Sequence, residues 1–254
     1  MNCVLKYPGA KWRLAEWIVS FFPPHKAYLE PYCGSAAAFF HKTPSRQETI
    51  NDLDGQVVNF FKMCRERPEE LAAAVNLTPY ARDEFEFVKG AGECEDSIEK
   101  ARRFAVLCFQ GRSAPSQYGG WKKAVMPAGA KNPYVWNALP ERVIQAAARL
   151  KSAHIENRPA LEMIERYNMP DCLIYADPPY LLKLRHGNLY AHEMGGESEH
   201  LALLQALNRH SGAVVLSGYD SDLYNDILRG WRKESTEEYT NTAQRKTEVL
   251  WIKA

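Results

Sequence analysis

The sequence predicts an α/β protein in which an open, mostly parallel, Rossmann-like sheet carries a mostly helical insertion. Three observations predict it. Residues 172–176 (Cys-Leu-Ile-Tyr-Ala) form a continuous apolar run, as in a strand buried on both faces. Shorter runs at 27–30, 48–50 and 213–217 each lead into a turn and a helical pattern. Between residues 67 and 150 the apolar spacing turns helical, around 68–75, 80–88 and 98–109. The 254 residues are 46% hydrophobic, enough to bury the core of one catalytic domain, 1–66 with 151–254, and a smaller inserted one, 67–150.

The chain opens with Leu5-Lys6-Tyr7-Pro8-Gly9-Ala10-Lys11, then Trp12, Leu14, Ile18, Val19 and Phe22 at helical spacing up to Pro23-Pro24. Gly9 permits a tight turn and close backbone approach to a ligand. Lys11 stands near a helix start, where the dipole prefers an anion, so a bound carboxylate or phosphate would relieve the conflict. A surface lysine after a turn is the plainer reading. The strand 27–30 runs through Glu30-Pro31-Tyr32-Cys33 into Gly34-Ser35-Ala36, small residues where a ligand meets the backbone. The Gly-Lys-Ser/Thr ending of a phosphate loop is missing.

The strand 48–50 ends in Asn51-Asp52-Leu53-Asp54. An acid about twenty residues after the first glycine turn, at the end of the second strand, grips a nucleotide ribose in Rossmann-like sheets. Asp52 fits, and Leu53 would pack on an adenine face. Asp52 suits equally well the N-cap of the helical run 56–65.

The run 172–176 ends in Asp177-Pro178-Pro179-Tyr180. Two prolines stop a strand, so Asp177 sits at its carboxyl end, where open α/β sheets bind ligands. The Asp177 carboxylate and the Pro178 carbonyl are two acceptors for a planar NH2 group, with Tyr180 as a stacking ring at the mouth. Asp-Pro-Pro is also an ordinary turn sequence.

In the insertion, Arg112, Lys122 and Lys123 flank a glycine-rich loop with Gln110, Tyr118 and Trp121, types that reach base edges and phosphates. A solvated loop with Trp121 on the core is the competing reading. Lys183 and Arg185 follow the tetrapeptide on a basic loop beside the site that could close over a bound ligand and its phosphates, or stand there as surface charges. The remainder completes the sheet: a helix at 198–208 with Leu201, Leu204 and Leu207 inward, a helix at 223–228, and a strand pair at 231–239 and 246–253.

Net charge is +1, which excludes a uniformly basic nucleic-acid coat but leaves local basic clusters. The six cysteines form no C-x-x-C pair and read as reduced thiols. His192, Glu193 and His200 lack H-E-x-x-H spacing, so no metal is expected. No signal peptide or membrane-length apolar run is apparent, and a cytoplasmic protein without a membrane partner is expected.

Taken in order, Tyr-Pro-Gly-Ala-Lys, Glu-Pro-Tyr-Cys-Gly-Ser, Asn-Asp, a long middle segment, Asp-Pro-Pro-Tyr and the ending Thr247-Glu248-Val249-Leu250-Trp251-Ile252 resemble the Dam-type DNA adenine-N6 methyltransferases and their phage relatives. The resemblance spans 5–66 and 172–253. It implies a class I methyltransferase sheet, S-adenosyl-L-methionine as cofactor and duplex DNA as substrate. It implicates Tyr7, Lys11, Asp52 and Asp177 in holding the cofactor, with Glu30, Tyr32 and Gly34 lining the pocket. It gives Asp177, Pro178, Pro179 and Tyr180 the catalytic role, and it makes residues 67–150 the target-recognition insertion. The chain departs from the family pattern at Ala36, usually glycine, and at Arg158, where relatives often carry an acid near the cofactor adenine.

A monomer in a bacterial or phage-infected cell is expected, with a cognate restriction endonuclease as a conceivable partner. Three alternatives stay open. Cytosine-N4 enzymes resemble Ser-Pro-Pro-Tyr at this motif. RNA or protein-amide methylation goes with Asn-Pro-Pro. A non-catalytic DNA-binding protein would keep the fold without the chemistry.

Overall fold

The apolar runs become four of five parallel strands: β1 (Ala27–Glu30), β2 (Gln47–Asn51), β4 (Cys172–Ala176) and β5 (Val214–Gly218). The fifth, β3 (Ala153–Glu156), is a short edge strand alternating buried and exposed residues, a pattern too brief to read from sequence. In this computed structural model residues 2–112, 119–123, 131–184, 189–194, 196–239 and 245–254 are described. A hairpin of β6 (Arg232–Tyr239) and β7 (Arg245–Lys253) completes the sheet. Its order is β3-β2-β1-β4-β5-β7-β6, with β7 antiparallel to both neighbours.

Two features of this order place the site. The chain steps outward from β1 to β3, then returns to lay β4 on the other side of β1. The carboxyl ends of β1 and β4 therefore flank the switch point, where such sheets open a crevice. Because β7 runs antiparallel, with Val249 opposite Gly218, its early residues lie at the carboxyl end of β5, on that same edge.

Helices cover both faces. Phe39 of α2 (Ala37–His41) and Phe60 of α3 (Gly55–Glu66) share one core with Phe104 of α6 (Ser97–Gln110), Trp136 of α7 (Lys131–Asn137) and Leu139 of α8 (Leu139–Leu150). The inserted segment, which also holds α4 (Pro68–Asn76) and α5 (Arg82–Gly90), thus packs directly on the sheet's helical layer. The other face buries Met163 of α9 (Ala160–Arg166), Leu203, Leu204 and Leu207 of α10 (Glu197–Arg209), and Tyr224 of α11 (Asp222–Ile227).

Two expectations need correcting. α1 covers only Ala15–Val19 and does not reach Phe22, because Phe21 and Phe22 close tighter turns onto Ile18 and Val19. Leu201 is exposed; the inward stripe of α10 runs His200, Leu203, Leu204, Leu207, the i, i+3, i+4, i+7 set. His200 spends one ring nitrogen on the Tyr224 hydroxyl, 2.9 Å away. All six cysteines are free. No helix among the described residues is long and apolar enough to cross a membrane.

Candidate active site

The β1–β2 half of the crevice is held by main chain. Gly34 and Ala36 both adopt left-handed backbone, φ +46° and +53°. A side chain at Gly34 would press within 3.2 Å of the Tyr7 ring, so that position needs glycine on two counts. Ala36 takes the same handedness at a cost of roughly 1–2 kcal/mol. This turn aims the Gly34 N–H at Asp52 Oδ2 (2.8 Å), and the Asp54 N–H reaches Asp52 Oδ1 (2.9 Å). Burial raises the Asp52 pKa to about 6 in spite of these two donors. The N-cap of α3 falls to Asp54, which accepts from the Gln56 N–H (2.9 Å) and from the Tyr7 hydroxyl (3.0 Å), leaving Asp52 to the cavity.

Asn51 locks the neighbouring loops. Its amide donates to the Pro31 and Arg158 carbonyls and its oxygen accepts from the Arg158 N–H, joining the ends of β1, β2 and β3. Asn157 donates to the Asp52 and Leu53 carbonyls (2.8 and 3.1 Å), which holds Leu53 half-exposed at the cavity rim. The Arg158 side chain pairs with Glu156 and Glu162. Neither asparagine side chain stood out in the sequence, because both act through loops brought together only by the fold.

The β4 half is held by side chains, one from the same tetrapeptide and two from distant segments. Asp177 follows the fully buried β4 and offers a partly open carboxylate. Lys11 Nζ lies 3.2 Å from Asp177 Oδ2 and 3.6 Å from Glu248 Oε1. The Tyr180 hydroxyl donates to Asp177 Oδ1 (3.0 Å) and to Glu248 Oε1. Burial works against the charge on Lys11, but the two carboxylates outweigh it and hold the ammonium above its ordinary pKa. The anion that Lys11 was expected to attract is therefore supplied by the protein itself.

Tyr180 also departs from expectation. It is buried, with Lys11 Nζ 4.8 Å above its ring and the Tyr219 ring edge-on at 4.6 Å, so it is not an open platform at the mouth. Pro178 is buried as well, while Asp177 and Pro179 face the cavity. Glu248, on β7, is buried beside these groups. Nothing local marks it, because its place follows from antiparallel pairing across the sheet.

Between the halves lies a cavity of about 410 Å³, lined by Tyr7, Gly9, Lys11, Glu30, Tyr32, Gly34, Asp52, Leu53 and Asp177 among others. Gly9, at φ +70°, turns the chain under Tyr190, whose hydroxyl would lie 2.4 Å from any Cβ there. Glu30 accepts from the Tyr28 hydroxyl (2.7 Å) and the Phe39 N–H (3.1 Å); burial lifts its pKa to about 8.

Residues 7–247 match the model of the D12 class N6 adenine-specific DNA methyltransferases. The chain belongs to that family. It is 23% identical over 237 residues to the type II methyltransferase M.CviBI of Paramecium bursaria Chlorella virus NC1A, covering 91% of this chain and 88% of that protein. Among solved structures it resembles the rRNA methyltransferase aviRa of Streptomyces viridochromogenes (TM-score 0.42, 16% identity, 99% and 90% of the two chains). It also resembles a precorrin 8W decarboxylase of Methanobacterium thermoautotrophicum (TM-score 0.43, 8% identity, 100% and 95%).

A D12 methyltransferase takes its methyl group from S-adenosyl-L-methionine and transfers it to DNA. The cavity fits such a cofactor: it is large enough for a nucleoside with a side chain, and the Asp52 carboxylate lines it with the apolar face of Leu53 beside it. Among the described residues, the DNA candidates Arg112, Lys122, Lys123 and Lys183 do not line this cavity. Arg112, Lys122 and Lys123 come together where the loop after α6 is pinched by Gly111 and Trp121, with Arg112 and Lys123 exposed. Trp121 packs on Tyr80 at 5.7 Å and its loop end is tied by the Tyr80 hydroxyl to the Lys122 carbonyl. Lys183 is exposed but paired with Glu197 at 2.6 Å. Arg185 lies outside the described residues. Lys6, overlooked in the sequence, sits 5.1 Å from the Phe109 ring; burial and the nearby Lys122 and Arg142 lower its pKa.

Proposed function

We propose that the protein methylates N6 of an adenine turned out of duplex DNA, with Asp177 as the acceptor that holds the amino group. One observation carries this reading: Asp177 and Asp52 open onto the same cavity from the two sides of the sheet's switch point. Asp52 binds the ribose hydroxyls, Leu53 packs on the cofactor adenine, and Tyr7, Gly9, Glu30, Tyr32 and Gly34 shape the remaining wall. When bound, the cofactor supplies an electrophilic methyl group.

The exocyclic nitrogen is a poor nucleophile because its lone pair is delocalised into the ring. Hydrogen bonds to the Asp177 carboxylate and the Pro178 carbonyl orient it and favour a pyramidal nitrogen, so positioning and electrostatics supply the rate. Pro179 walls the site. Tyr180 acts through its hydroxyl, fixing Asp177. Unstacking the base costs a few kcal/mol, offset by phosphate contacts from Lys6, Arg112, Lys122 and Lys123. The segment 67–150 is the target-recognition unit, and Lys183 and Arg185 are further DNA-contacting candidates. The protein works as a monomer in a bacterial or phage-infected cytoplasm, with a cognate endonuclease as a further partner.

The test is expression in cells free of DNA methylation, followed by mapping of modified bases at single-base resolution. N6-methyladenine at one short recurrent sequence supports the proposal. N4-methylcytosine, or unmodified DNA from cells holding folded protein, contradicts it.

A further inference from the structure

We infer that Glu248 is a positioning residue for the methyl transfer, acting on Asp177 through Lys11 and Tyr180. The inference rests on the reading of Asp177 given above. Glu248 is a charged side chain on the antiparallel strand β7, buried at the carboxyl edge of the sheet. It meets the same two groups that touch Asp177: the Lys11 ammonium, at 3.2 Å from one carboxylate and 3.6 Å from the other, and the Tyr180 hydroxyl, which donates to both.

The chemistry of the pairing follows from the count of charges. One ammonium faces two carboxylates. Alone with Asp177, Lys11 would form a full ion pair with it and draw the lone pairs that the amino group of the base must meet. With Glu248 present, Lys11 is divided between two partners, and Asp177 keeps acceptor strength towards the cavity. Tyr180 spans the same two oxygens, so the Asp177 plane is fixed from behind. Residue 180, three positions away, and the sequence-distant residues 11 and 248 therefore set the orientation and basicity of residue 177.

Glu248→Gln keeps the shape and the acceptor oxygen but removes the charge. It leaves Lys11 paired with Asp177, so the Lys11 charge stays compensated and the fold should persist. Single-turnover methyl transfer to duplex DNA should fall about 10–100-fold, with cofactor Kd within threefold of wild type. Glu248→Asp, which restores the charge, should recover part of the rate. In a Lys11→Met background, Glu248→Gln should add little further loss, because the route through Lys11 is already gone.

A Glu248→Gln rate within twofold of wild type overturns the inference. So does a loss that appears equally as weaker cofactor binding and a lower melting temperature in both the Gln and Asp variants, which would mark a purely structural acid. A wild-type protein that transfers no methyl group to adenine overturns the reading of the site itself.

Discussion

Two carboxylates stand at the same edge of the same sheet and are held in opposite ways. Asp52 is fixed by main-chain N–H groups 18 and 2 residues away in sequence. Asp177 is fixed by side chains of Lys11 and Tyr180, which are themselves anchored by Glu248. The first arrangement is rigid and tolerant of side-chain change nearby, as suits a binding group. The second can be retuned by any of three residues, two of them distant in sequence, as suits a group whose acceptor strength sets a rate.

The largest expected effect breaks the second arrangement. Asp177→Ala should lower single-turnover methyl transfer by at least 100–1000-fold, the cost of losing one preorganised hydrogen bond in an active site. Rapid-quench measurement of methylated duplex checks it; a rate within tenfold of wild type would remove Asp177 from the chemistry.

The first arrangement is sharpened by pH. On the proposed role of Asp52, the ionised carboxylate is the stronger acceptor for ribose hydroxyls, so cofactor affinity should weaken as pH falls through about 6. Stability of the cofactor-free protein should move the other way. A carboxyl whose pKa is raised on folding contributes most below about pH 4 and loses that contribution as pH rises through about 6. Calorimetric Kd values and melting temperatures from pH 5 to 8 test both signs together.

A weaker effect separates both carboxylates from the DNA surface. Lys123→Ala should reduce DNA affinity alike on all sequences and flatten the salt slope by about one, without altering cofactor affinity. Smallest of all, Ala36→Gly should raise stability by about 0.5–1 kcal/mol, since glycine removes the left-handed penalty but costs backbone entropy. Denaturant melts resolve a change of that size.

The same contrast explains what the sequence disclosed. Asp52 and Asp177 were legible because each ends an apolar run, and the run fixes its place at the strand's carboxyl end. The buried strand 172–176 and the helices of the insertion were legible by period. Glu248, Asn51 and Asn157 were not, because each works across strands that only the sheet order brings together. Lys11 was noticed for the right conflict, a cation seeking an anion, but its anion came from 166 residues further along the chain. Tyr180 was misplaced for a related reason: Tyr219 and Lys11 cover it, and both arrive from other parts of the fold.

The most direct test of the division between the two carboxylates is the cofactor dependence of single-turnover methylation in wild type, Asp52→Ala and Asp177→Ala. Asp52→Ala should require about 10–100 times more cofactor, matching the loss of a charged hydrogen bond of 1.5–3 kcal/mol, and then approach the wild-type rate at saturation. Asp177→Ala should saturate near the wild-type concentration at a rate at least 100-fold lower. Identical losses of both affinity and saturated rate in the two variants would contradict the account.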